Sequence, residues 1–154
     1  MTFVRITLYL VTASTVMGCA SSPAPTNHYP SSPGDVSLYS TVTDDGCTLF
    51  VATVESLERS PAWDPGIDEL PLKVADAVTV AKAHFIAAHP GIEGAAVRSI
   101  ELKPALCCGA PPGRWYYSID FSPTVGGQAV FRRSNPVVVL LDGSLAKELR
   151  DNCQ

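Results

Sequence analysis

Residues 72–89 read LKVADAVTVAKAHFIAAH, and the reading of this stretch decides the fold. Val74, Val78, Ala81, Phe85 and Ala88 recur at helical spacing and form one apolar stripe, while Lys73, Asp76 and Thr79 point away from it. Pro71 before the stretch and Pro90-Gly91 after it mark the two ends. A helix with a single apolar stripe has to lay that stripe on a second layer. The spacing therefore predicts one helix lying on a sheet.

The strands of that sheet are sought on either side. Upstream, residues 48–57 are rich in β-branched and apolar side chains and predict a strand. Asp44-Asp45-Gly46 is a turn signal, so a shorter strand within 36–43 can pair with it as a hairpin. Residues 59–71 hold Pro61, Pro65, Gly66 and Pro71 and read as a loop, with Trp63 folded onto the core. Downstream, three strands are expected at about 96–103, 114–122 and 137–141. In the second, Trp115, Tyr117, Ile119 and Phe121 alternate with Arg114, Tyr116, Ser118 and Asp120, the pattern of a half-buried strand. Residues 145–149 form either a last helical turn or a continuation of the strand, because Leu145 and Leu149 are four apart. The expected class is α+β, with one helix on a curved antiparallel sheet of about four strands in the order β-α-β-β-β.

A length of 154 residues suits one domain. The formal charge of −4 becomes −5 if Arg5 is removed with a leader, leaving 10 basic residues against 15 acidic, a balance that does not attract nucleic acid. Arg132-Arg133, the one adjacent basic pair, reads as a solvated surface.

A leader is indicated by Arg5 followed by an apolar run from Ile6 to Val16 and then small residues, the three-part plan of an export signal. A run of about eleven residues is too short to span a hydrocarbon core, which takes roughly 20 residues of helix. Val16-Met17-Gly18-Cys19 resembles the bacterial lipobox, with Val in place of the usual Leu and Met where Ala or Ser is commoner. The resemblance implies cleavage after residue 18 and lipidation of Cys19, and Ala20 resembles the sorting pattern of outer-membrane lipoproteins facing the periplasm. Ordinary cleavage after Ala20 is the alternative. Residues 20–35 are Ser, Pro and small polar residues, the composition of an extended tether, and a single domain follows over 36–154.

With Cys19 lipidated or lost, Cys47, Cys107, Cys108 and Cys153 remain. Four cysteines in an exported chain point to two disulfides. Direct pairing of the neighbours Cys107 and Cys108 would strain the ring, so each is expected to bond a distant partner, Cys47 or Cys153, with the choice left open by the sequence. Each link would close a loop of tens of residues and stabilise by roughly 2 to 5 kcal/mol. The competing reading makes Cys107-Cys108 a soft-metal or thiol-redox site. Neither a C-x-x-C spacing nor an adjacent His accompanies the pair, and Gly109, Ala110, Pro111 and Pro112 describe a turn.

The segment Leu70-Pro71-Leu72 leading into Ala77, Val78 and Ala81 is followed by Trp115-Tyr116-Tyr117-Ser118-Ile119-Asp120-Phe121 and by Val137-Val138-Val139-Leu140-Leu141-Asp142-Gly143. Across residues 70–145 this succession resembles the PepSY-like domains of exported bacterial proteins, and the element order is similar to a cystatin-like sheet wrapped on one helix. PepSY-like likeness implies a module that binds or restrains proteins, peptidases included, without performing chemistry. A true cystatin would carry a Q-x-V-x-G hairpin, and Gln128-Ala129-Val130-Phe131-Arg132 ends on Arg in a later loop.

Catalytic and ligand motifs are sparse. Of three histidines, His28 lies in the tether, and His84 and His89 are about 140° apart around the helix, too far to share a metal from one face. No H-E-x-x-H, G-x-S-x-G, Walker or dinucleotide glycine pattern occurs. The sequence leads to a non-enzymatic envelope module that holds a protein or peptide, with no cofactor, no metal, and contact with the membrane only through its lipid. Metal or redox use of Cys107-Cys108 is the second expectation, and an enzyme using Asp120 or His84 as a base is the third.

Overall fold

The computed structural model describes residues 34–43, 46–107, 109–130 and 135–151. The leader over 1–18, Cys19, most of the tether, the 44–45 turn, Cys108, Arg132-Arg133 and Cys153 lie outside the described residues.

Two strands open the domain, β1 (Asp35–Thr43) and β2 (Gly46–Thr53), antiparallel with Thr43 opposite Gly46. The expected hairpin is present, but β2 stops at Thr53, short of residue 57. Thr53 is an N-cap: its hydroxyl accepts the Ser56 N–H at 3.1 Å and starts a short helix, α1 (Val54–Arg59). Leu57 on α1 is fully buried. There are thus two helices, where the sequence predicted one.

The principal helix, α2 (Val74–Ala88), lies within the predicted stretch. Its buried line is Ala77, Ala81 and Phe85, four residues apart, whereas Val74 and Ala88 are exposed. The small alanines let the helix come close to the sheet, and Phe85 supplies the large contact, its ring stacked on Phe121 at 5.2 Å between centroids. His89 ends the helix by donating from Nδ1 to the Phe85 carbonyl at 2.8 Å.

After α2 come β3 (Gly94–Pro104) and β4 (Trp115–Val125), an antiparallel pair with a bulge between Val97 and Ser99. The other side of β4 is shared along its length. β6 (Pro136–Leu140) pairs with residues 116–120, and β5 (Gln128–Ala129) pairs with Thr124 and Val125. Gly126 and Gly127, both at positive φ (59° and 72°), form the two-residue turn into β5, a conformation that favours glycine. β7 (Lys147–Asp151) does not extend this sheet but pairs with β2, giving the order β1-β2-β7. Just before it, Leu145 bridges to Val139 and Ala146 donates to the Val138 carbonyl. The chain from 144 to 151 therefore runs first along β6 and then along β2, passing from one sheet to the other. Neither form expected for 145–149 is present: these residues are not helical and do not prolong β6, because the chain turns at 141–144 and Lys147–Asp151 is a separate strand.

The α+β class with antiparallel sheets holds, but the single sheet of about four strands is replaced by a three-stranded and a four-stranded sheet, with β1 and β2 in the former. One face of the four-stranded sheet (Tyr117, Ile119, Phe121, Val137, Val139, Leu141) meets α2. The opposite face (Tyr116, Val138, Leu140) meets Val36, Phe50, Ala52 and Leu57 from the other sheet and α1. The order of layers is helix, sheet, sheet. The expectation of a half-buried β4 fails for this reason: Tyr116 and Ser118, assigned to solvent, are covered by the second sheet.

Phe85 packs among buried residues of the helix, β4 and β6, so truncation there removes a large core contact and leaves a cavity against Phe121. Phe85→Ala is expected to lower unfolding free energy by about 3–5 kcal/mol, measured by chemical denaturation.

Candidate functional site

The sandwich is closed on one side by the strand that passes from β6 to β2. On the other side β1 and β3, the outer strands of their sheets, come together without pairing. This seam begins with a bulge in β1 between Ser37 and Tyr39, which takes the Leu38 carbonyl out of the regular ladder. Tyr116 donates its phenol to that carbonyl at 2.5 Å. Beside it Lys103 Nζ stands 4.6 Å from the centre of the Tyr39 ring and 2.5 Å from a Glu101 carboxylate oxygen. Tyr39 in turn tilts against Phe50 at 6.1 Å.

Further along, the residue in the β3 bulge, Arg98, places a guanidinium nitrogen 3.3 Å from Asp120. The other carboxylate oxygen of Asp120 accepts the Asn135 N–H at 2.6 Å. Asp120 therefore holds the start of β6 against β4, a structural position rather than that of a free base. Strand alternation puts Asp120 on the face away from α2, and His84 is exposed on α2, so the four-stranded sheet separates the two candidate bases.

Burial pushes the Tyr116 phenol up to about 12, with Tyr39 and Glu101 adding to the rise. Burial also raises Tyr117, whose phenol donates to the Leu72 carbonyl at 2.9 Å and ties the approach to α2 onto β4. The outer side of β3 differs in character. Its residues 97–101 are exposed, with Val97 at 42% and Ile100 at 39%, and among the described residues no strand pairs along that side. The sequence reading placed a strand at 96–103 but missed that it would stand at an edge, because a strand's neighbours do not register in its own side chains.

The cysteines divide. Cys47, buried on β2, is disulfide-bonded, with its partner outside the described residues. Cys107 is a free, exposed thiol, which corrects the expectation that it joins a distant cysteine. Ala105 donates to the Arg114 carbonyl and Ala110 to the Cys107 carbonyl, a tight reversal with Cys107 at its exposed tip. Cys108 and Cys153, the remaining disulfide candidates, lie outside the described residues. Among the described residues no three His, Cys, Asp or Glu side chains gather as a metal site, and no helix is long and apolar enough to cross a membrane.

No family model matches the chain, and neither the curated proteins nor the solved structures contain a match.

Two outcomes are expected from this geometry. Because the Tyr116 phenol is raised above its unfolded value near 10, its contribution is complete below pH 10 and is lost as pH rises towards about 12. Stability followed by denaturation between pH 9 and 12 should decline on the order of 2 kcal/mol through this group, and Tyr116→Phe should flatten that decline while costing about 1 kcal/mol at neutral pH. Alkylation of the folded, unreduced chain followed by peptide mass mapping should label Cys107 and leave Cys47 unlabelled.

Proposed function

We propose that this chain is a non-enzymatic, lipid-anchored module of the bacterial cell envelope that holds a protein or peptide partner along the outer side of β3. The observation that carries the reading is the exposed outer side of β3, along which no strand pairs among the described residues and which offers the backbone donors and acceptors of Ile100 and Leu102 to an added strand. The lipobox-like Val16-Met17-Gly18-Cys19 supplies the anchor, the Pro- and Ser-rich segment the reach, and a disulfide at Cys47 fits an oxidising compartment. Outer-membrane attachment facing the periplasm follows from Ala20 after the cysteine. The cystatin-like and PepSY-like resemblance agrees with a helix on an antiparallel sheet whose role is to bind or restrain.

The test uses the inner and outer sides of β3 separately. Ala105 donates inward to Arg114, so alternation turns the backbone groups of Lys103 and Glu101 inward and those of Leu102 and Ile100 outward. Ile100→Pro removes an outward N–H without breaking the β3–β4 ladder. The full chain displayed on lipid vesicles should retain an envelope component that Ile100→Pro loses, with far-ultraviolet dichroism unchanged. Retention unaltered by Ile100→Pro would refute docking along β3, and a Cys19→Ser chain that stays membrane-bound would refute the anchor.

A second reading, thiol redox chemistry or soft-metal binding at Cys107-Cys108, draws on the free exposed thiol of Cys107. It requires a second thiolate at Cys108, and mass mapping that finds Cys108 oxidised in the exported chain removes it.

A further inference from the structure

The outer side of β3 is complementary to itself, and we infer that the strand it accepts is β3 of a second copy, paired antiparallel about a two-fold axis at Leu102. The inference rests on the reading of β3 as a docking edge and names the occupant. Outward-facing backbone groups belong to Ile100 and Leu102, while Pro104 turns a carbonyl outward and has no N–H to leave unpaired. A two-fold axis can therefore pass through Ile100, Glu101 or Leu102; one at Lys103 would oppose two ammonium groups and set each Leu102 against a proline.

The three choices differ in charge and register. An axis at Glu101 sets that carboxylate directly against its own copy, a like-charge contact in the closest type of cross-strand pair. An axis at Ile100 draws the bulge between Val97 and Ser99 into the pairing, where the side-chain alternation of the two strands no longer agrees. An axis at Leu102 avoids both. Leu102 exchanges two N–H···O bonds with Leu102 of the second copy, and each Ile100 N–H meets the carbonyl of Pro104 of the second copy; the Pro104 ring gives the Ile100 carbonyl no return bond, so the added ladder ends there. Glu101 faces Lys103 of the second copy, and Lys103 faces its Glu101. Within one chain these side chains already form an ion pair at 2.5 Å, both partly exposed, so the two pairs join into an alternating square of four charges. On the helix side, the exposed part of Ile100 gains cover beside Leu102.

Sedimentation velocity of the full chain in detergent, with Cys107→Ser to exclude links through that thiol while the Cys47 disulfide stays intact, tests the pairing across a micromolar concentration series. This chain should dimerise reversibly. Glu101→Lys alone and Lys103→Glu alone should each weaken the dimer about tenfold or more, since two attractive pairs become two repulsive ones. The double exchange, Glu101→Lys with Lys103→Glu, should restore it. A Cys107→Ser chain that is monomeric throughout, or a dimer indifferent to the single reversals, overturns self-pairing. Where such a chain still retains an envelope component that Ile100→Pro abolishes, the docking edge survives and only its occupant is wrong. Where it retains none, the edge reading falls as well.

Discussion

Strand β6 and its continuation, Val137-Val138-Val139-Leu140-Leu141, set five consecutive apolar side chains alternately on two faces of one sheet, and all five are buried. Such a run is stable only if each face is covered, since burial contributes roughly 25 cal/mol per Å2 of apolar surface removed from water. α2 covers one face through Ala77, Ala81 and Phe85, and the β1-β2-β7 sheet with Leu57 covers the other. The rest of the architecture follows. The chain must leave β6 and return over the face opposite the helix, and it does so by turning at 141–144 and crossing onto β2 as β7.

What the sequence disclosed follows the same logic. α2 was legible because its buried residues recur every four positions, although the stripe begins at Ala77 and not at Val74. The β1–β2 hairpin was legible from Asp44-Asp45-Gly46. The second layer was the larger omission. The polar residues Tyr116, Ser118 and Asp120 alternate with Ile119 and Phe121 as a solvated face does, and periodicity cannot distinguish a polar face in water from one covered by another sheet. The unbroken apolar run in β6 was the available signal, because a strand open on one side has no use for apolar residues on both. α1 was hidden by β-branched residues that also suit a strand, and only Thr53 with its bond to Ser56 N–H ends β2.

The seam between β1 and β3 shows how such a buried polar face is accommodated. The two bulges displace backbone and side-chain groups from regular positions, and each finds a partner on β4. The Leu38 carbonyl takes the Tyr116 phenol, and the Arg98 guanidinium takes Asp120. A buried polar group without a partner costs about 1–3 kcal/mol, so these contacts convert what would be penalties into links between layers. The raised Tyr116 pKa is the electrostatic record of that position, neutral and desolvated beneath Tyr39 and near Glu101. None of this was visible in one dimension, because Leu38 and Tyr116 are 78 residues apart.

Edge strands invite uncontrolled pairing, and proteins blunt them with bulges, charges and proline. β1 carries a bulge at its middle, and β3 carries one between Val97 and Ser99 and ends on Pro104. These devices bracket a short window, residues 100–103, in which the strand is regular and its backbone groups alternate without interruption. Within that window the two charged residues are of opposite sign and two apart, so the edge repels a strand that places a carboxylate against Glu101 and accepts one that places a base there. A window this short restricts an added strand to a few backbone bonds, and selectivity must then come from register and charge rather than from area.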